Sequence, residues 1–275
     1  MTLLEAAGLA VAGLGAGFVA GLVGVGGGVI FTPVLFAIYG VLGVPGAVHT
    51  PLTVGTGLFC TGLAAGASAL HHVRRNAVHP RMALGVGLAS AGAVGLVSGL
   101  VVTRPWYDNR LFQLLFAAVL VVVAVRMVRG PAAADFQTCE RVDTPRWLPW
   151  LGTGTAAGAV ASAVGVGGGV VLVPSYNRFF HLPLHRAVGT SSATIFVISA
   201  VSTVAYAWLG AGIGGRPLAV GYVDVGTGLL LAVPAVVGAQ GGAALAHRIE
   251  TGWLRWSFAA LAVVVAGRLA WNAVG

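Results

Sequence analysis

The chain has 275 residues, 57% of them hydrophobic and only 8% charged, against roughly 25% charged in a soluble domain. Its mean hydropathy is +0.93, and the uncharged stretch from Met82 to Thr103 is long enough to cross a hydrocarbon core of ~30 Å. The sequence is that of an integral membrane protein.

The formal charge of +8 rests on fifteen basic residues, all of them arginine. Without lysine there is no Walker A phosphate loop, protein-kinase lysine or Schiff base, so this chain alone does not pump with ATP. The arginines are scattered over loops instead of forming a stripe, which points to membrane orientation and away from nucleic acid. Cys60 and Cys139 supply neither a disulfide framework nor a metal spacing. The first residues, Met1–Glu5, carry no positive n-region, and the apolar run after them exceeds a cleavable length, so it reads as the first membrane segment.

In chain order, the predicted elements begin with an apolar segment broken by glycines, 6–22 then 28–40. Helices over 47–70, 82–103 and 110–128 follow. A polar linker over 131–148 carries Asp135, Glu140, Arg141, Asp143 and Arg146. A second broken segment, 150–164 then 169–182, precedes helices over 187–209, 218–246 and 253–272. Lipid cannot satisfy backbone polar groups, so such continuous apolar segments must be helical; barrel strands would alternate, and these do not. Gly13, Gly17 and Gly21 form a small-residue stripe suited to close helix packing.

The chain also repeats itself. Val23–Val29 and Val164–Val170 both read VGVGGGV, and Gly13, Gly17, Gly21 and Pro33 align with Gly154, Gly158, Ser162 and Pro174. Near the ends, Phe116-Ala-Ala and Phe258-Ala-Ala align, as do Arg126 and Arg268. The expected fold is therefore an all-α integral membrane protein made of two tandem homologous helical repeats, 6–130 and 149–273, each with a glycine-broken first segment.

The doubled VGVGGGV with its following proline, the Ala187-Val-Gly-Thr-Ser-Ser192 segment and the two-fold repetition resemble the sulfite exporter TauE/SafE family of membrane permeases. The resemblance covers nearly all of the chain outside the linker. It implies ATP-independent transport of small sulfur-containing or organic anions such as sulfite, sulfonates or sulfoacetate. One departure lies in the first half, where His49-Thr50-Pro51 occupies the place of Gly189-Thr190-Ser191.

Glycine costs about 1 kcal/mol relative to alanine within a helix, so each glycine run should break its segment. A break in lipid must line a cavity or be buried in protein, and a half-helix N-terminus there attracts an anion through free N–H groups and the helix dipole. The expected substrate-binding residues are thus Gly26, Gly27, Gly28, Gly167, Gly168 and Gly169, the alternative role being tight helix crossing. The run fails the GxGxxG template because Val29 and Val170 take the last position, so nucleotide binding is not expected. Hydroxyls at Thr50, Thr53, Thr190, Ser191, Ser192 and Thr194 could donate to the same oxyanion, or cap and back-bond their helices.

Four further residues are candidates for coupling or anion binding. His49 stands near a helix start, where a structural role is the commoner one. Asp224 is an acid just inside the segment predicted helical from 218, suited to proton coupling or to capping. Arg126 and Arg268 would be strong anion ligands if turned inward, but near helix ends snorkelling to the headgroups is the default. His71, His72 and His79 with Arg74, Arg75 and Arg81 read as a cytoplasmic topology signal. No catalytic residue, metal site or cofactor is expected.

Loop charge bears on topology. If each broken segment crosses once, the arginines divide nine inside to six outside. If each returns at its break, Arg104, Arg110, Arg216 and Arg268 lie outside and the other eleven inside. The positive-inside rule prefers this second, inverted arrangement, with both termini outside and the substrate on a pseudo-two-fold axis. The leading functional expectation is a secondary permease or exporter of small anions in the cell membrane, which is the inner membrane if the source is a bacterium. Its partners are the anion and the lipid bilayer, and the sequence leaves homo-oligomers open. An anion channel is the second reading. An intramembrane enzyme is disfavoured, since no His/Glu/Asp cluster with metal or acid-base spacing lies in the helices.

Overall fold

A computed structural model gives the architecture and describes residues 3–23, 27–102, 104, 106–129, 147–212, 218–246 and 251–274. The helices are α1 Leu3–Val23, α2 Gly28–Val41, α3 Gly46–Arg74, α4 Pro80–Val97, α5 Asn109–Arg129, α6 Trp147–Val164, α7 Gly169–Arg178, α8 Leu184–Leu209, α9 Val225–Ala246 and α10 Thr251–Val274. A π-helical turn, Ser98–Val102, extends α4. Four described helical stretches are long and apolar enough to cross a membrane: Gly46–Arg74, Pro80–Leu100, Arg186–Leu209 and Val225–Gly242. The fold is that of an all-α membrane protein.

Its burial pattern suits a bilayer. Val11, Leu84, Leu88, Leu96, Val204 and Val237 are exposed, while the hydroxyls of Thr32, Thr56, Thr61, Ser90, Ser162 and Ser199 are buried. Apolar side chains thus face outward and small polar groups inward. Trp106, Trp147, Trp208 and Trp271 are exposed near helix ends, where indole rings anchor to the headgroup interface.

Two departures from the expected elements have local causes. The segment from 218 does not enter its helix at once: Ala219–Val220 and Val223–Asp224 form two short antiparallel strands, β1 and β2, pairing Ala219 with Asp224 and Val220 with Val223. Gly221 takes φ +59° in the tight turn and lies against the Ala207 carbonyl, leaving no room for a Cβ. Asp224 therefore stands just before α9 and not inside it. The second departure shortens α7, which ends at Arg178 instead of near 182. His181 has φ +51°, Asn177 donates to the Leu182 carbonyl at 3.0 Å, and Leu182 precedes Pro183, a position that disfavours helix.

The helices of the two halves interleave. α1 packs chiefly on α9 and α6 on α4, while α3 packs on α8 and α5 on α10. Gly13 meets Leu231 and Gly17 meets Ala235, so α1 and α9 run parallel with the glycine stripe seated on the α9 backbone. Gly85 beside Trp150 and Gly158 beside Ser90 make α4 and α6 parallel as well. By contrast Gly55 lies by Tyr206, Gly62 by Ser199 and Gly66 by Phe196, so α3 and α8 are antiparallel.

Candidate functional site

The glycine runs break their helices and meet each other. Gly27, the N-cap of α2, has φ +48°, and Gly168, the N-cap of α7, has φ +77°. Gly165 and Gly167 are left-handed too, at +78° and +77°, a conformation costing most other residues roughly 1–2 kcal/mol. A Cβ on Gly28 would stand 2.7 Å from the Gly165 carbonyl oxygen and 2.8 Å from Thr61 Oγ1. Thr61 is near the middle of α3, so the breaks touch at mid-depth. Gly26 lies outside the described residues.

Donors and acceptors are unequally satisfied around the second break. Three carbonyls at the C-terminal end of α6 are occupied: Ala161 by the Gly165 amide at 2.7 Å, Ser162 by the Tyr206 hydroxyl at 2.6 Å and Ala163 by the Tyr107 hydroxyl at 2.8 Å. The Gly165 carbonyl accepts from Thr32 Oγ1 at 3.0 Å. The amides of Val166, Gly167, Gly168 and Gly169 sit in buried residues and meet no acceptor among the described residues. An intact helix end would leave negative carbonyls and positive amides side by side. Here hydroxyls occupy the Ser162, Ala163 and Gly165 carbonyls, which lowers the negative potential beside the four amides.

Ser199 completes the neighbourhood. It is fully buried, its hydroxyl has no partner, and Oγ lies 3.6 Å from where a Cβ on Gly167 would be. Thr61 Cγ2 and Ile195 Cγ2 flank the same position at 2.6 and 3.0 Å. One helical turn further, Ser202 is also buried without a partner. Sequence reading passed over Thr32, Thr61, Ser199, Tyr107 and Tyr206.

The hydroxyls expected at the helix starts lie elsewhere. Thr50 Oγ1 donates to Asn109 Oδ1 at 2.6 Å and Thr53 back-bonds to the His49 carbonyl at 2.8 Å. Thr190 Oγ1 accepts the His79 amide at 3.1 Å, holding the turn between α3 and α4. Ser192 Oγ donates to the Val188 carbonyl at 3.0 Å and accepts from Ser68 at 3.2 Å, Thr194 bonds Tyr176 at 2.6 Å, and Ser191 Oγ has no partner. Because α3 and α8 are antiparallel, Thr50 and Thr190 lie toward opposite faces, each about 15 Å from the glycine level at ~1.5 Å per residue.

The charged candidates take other places. Asp224 is 3% exposed and caps α9: Oδ1 accepts the Thr227 amide at 3.0 Å and Oδ2 the Thr227 hydroxyl at 2.8 Å. Its own amide donates to Thr56 Oγ1 at 2.9 Å, which also accepts from Tyr39 at 3.2 Å. His49 is buried edge-on against Phe36, ring centroids 4.3 Å apart, beside the Phe36 backbone and the Asn109 side chain. Arg268 is exposed on α10. The Arg126 side chain lies outside the described residues.

Comparison with known proteins now decides the family: the chain matches "Sulfite exporter TauE/SafE" over residues 9–269. The chain belongs to this family. It is similar to a protein of Methanocaldococcus jannaschii named a probable membrane transporter protein, 26% identical over 247 residues, covering 90% of this chain and 88% of that one. A protein of the same description from Haemophilus influenzae is 27% identical over 263 residues, covering 91% and 92%. Another, from Xylella fastidiosa, is 26% identical over 191 residues, 70% of each chain. No solved structure matches. Family and fold together make this TauE/SafE chain a multi-pass membrane transporter.

Proposed function

We propose that this TauE/SafE protein is a secondary permease or exporter of small anions, sulfite or organosulfonates such as sulfoacetate, held between two repeats, 6–130 and 149–273. The observation that carries the reading is the second break, where buried amides meet no acceptor among the described residues while hydroxyls occupy neighbouring carbonyls. Such a terminus stabilises negative charge without a fixed cation that would trap it.

The inverted arrangement of the repeats is supported by two features. α3 and α8, which correspond between the halves, are antiparallel, and exchanging the halves leaves the pairings α1 with α9 and α4 with α6 unchanged. A carrier is favoured over a channel by the contact of Gly28 with Gly165 and Val166, which closes the space between the halves at mid-depth. Its place is the cell membrane, with the anion and lipid as partners. Asp224 serves as a cap in this reading, and Arg268 as a headgroup anchor.

Reconstitution into liposomes tests the proposal. Labelled sulfite or sulfoacetate should enter with saturation and be accelerated by unlabelled anion on the opposite side. Flux that rises linearly with concentration and shows no trans-stimulation would indicate a channel. An absence of flux for every small anion would remove the anion reading.

A further inference from the structure

The two glycine breaks look interchangeable in sequence, but the surroundings of Gly28 and Gly167 differ. Gly28 in the first is pressed onto the Gly165 carbonyl, the Val166 backbone and Thr61 Oγ1, so its Cα faces an acceptor. Buried amides meet no acceptor among the described residues at either break, Gly27 and Gly28 in the first and Val166–Gly169 in the second, but beside Gly167 in the second Ser199 brings a buried hydroxyl that has no partner. An unused buried hydroxyl forgoes about the free energy of a hydrogen bond, and helix residues commonly avoid this by back-bonding to the preceding turn. Thr53, Thr61, Ser162 and Thr194 do so. Ser199 does not.

We infer that the anion is seated asymmetrically, on the Val166–Gly169 amides and the Ser199 hydroxyl, and that this seat selects a singly charged oxyanion. The inference rests on the anion-permease reading and adds to it which break binds and what charge it accepts. Charge selection follows from the donor set. Amides and a hydroxyl are neutral, and the flanking groups are the methyls of Thr61 and Ile195 and the Ala157 backbone beneath Gly168. Desolvation of an ion grows with the square of its charge, whereas its attraction to neutral dipoles grows only linearly, so a second charge raises the cost faster than the gain. A monoanionic sulfonate or hydrogensulfite suits such a seat, and a dianion such as sulfate does not. Thr61 Cγ2 covers the position in this conformation, so the anion is admitted when α3 and α7 separate.

The test uses the purified full-length protein with methanesulfonate as monoanion and sulfate as dianion, binding being read by calorimetry and stability by thermal unfolding. The wild type should bind methanesulfonate at least tenfold more tightly than sulfate. Ser199→Ala should weaken methanesulfonate at least fivefold, without lowering the unfolding temperature of the anion-free protein, since the hydroxyl removed had no partner. Full affinity in Ser199→Ala would overturn the seat while leaving the permease reading intact. Equal affinity for sulfate would overturn the charge selection. Failure of the wild type to bind any anion, including sulfite, would bring down the seat and the permease reading together.

Discussion

The hydroxyl of Tyr206 in α8 donates to the carbonyl oxygen of Ser162 in α6 across 2.6 Å, and both residues are fully buried. The bond occupies a carbonyl beside the broken helix end and so suppresses negative potential near the open amides. Tyr206→Phe should cost ~1–3 kcal/mol, the price of one stranded buried acceptor, and should also weaken anion binding. Thermal unfolding and binding on the same preparation would check this. Lower stability with unchanged affinity would mean that the bond only braces α8 against α6.

The glycine breaks predict a position-specific sensitivity. At Gly168 a Cβ would lie 2.8 Å from the Ala157 carbonyl oxygen with φ at +77°, and a larger side chain would also fill the anion seat. Gly168→Leu should abolish uptake. Gly43 is equally left-handed at φ +67° but opens onto free space, so Gly43→Ala should cost only about 1–2 kcal/mol and leave uptake near normal. Comparable uptake by both variants would remove the second break from the site.

Direction of the halves can be read by labelling. In a background of Cys60→Ala and Cys139→Ala, single cysteines at Arg75, after α3, and at Ala211, after α8, follow antiparallel helices. A membrane-impermeant maleimide should reach them from opposite sides. Modification from one side only would favour parallel halves.

Asp224 offers a separation of capping from coupling. Asp224→Ala should destabilise the protein by ~0.5–2 kcal/mol, the usual loss of an N-cap. Asp224→Asn can still accept the Thr227 amide, so it should retain both stability and the pH profile of uptake. A flattened pH profile in Asp224→Asn would identify the carboxylate as a proton carrier.

Some of this was readable from sequence and some could not have been. The glycine breaks and the long apolar helices were visible because composition alone forces them: lipid demands helix, and clustered glycine opposes it. The identity of the hydroxyls at the break was not. Thr32 reaches Gly165 over 133 residues and Tyr206 reaches Ser162 over 44, and no local spacing announces such pairs. Thr50 and Thr190 looked like site residues through their place at helix starts, but the antiparallel crossing of α3 and α8 sends those starts toward opposite faces. The hairpin before α9 went unseen because strands of two residues are too short to alternate.

The parallel seating of α1 on α9 has a consequence for how the protein is made. Gly13 and its neighbour Leu231 stand 218 positions apart in the chain, so α1 enters the membrane long before the helix that covers its glycine face has been synthesised. α6 fares better, since α4 precedes it and is already in the bilayer when it emerges. Until then the glycine face of α1 lacks its α9 partner, and a chain stopped after α5 would contain every helix of the first half without the surface on which α1 packs. Assembly is completed from the C-terminal side, α9 entering alongside the helix that was inserted first and α10 then packing on α5.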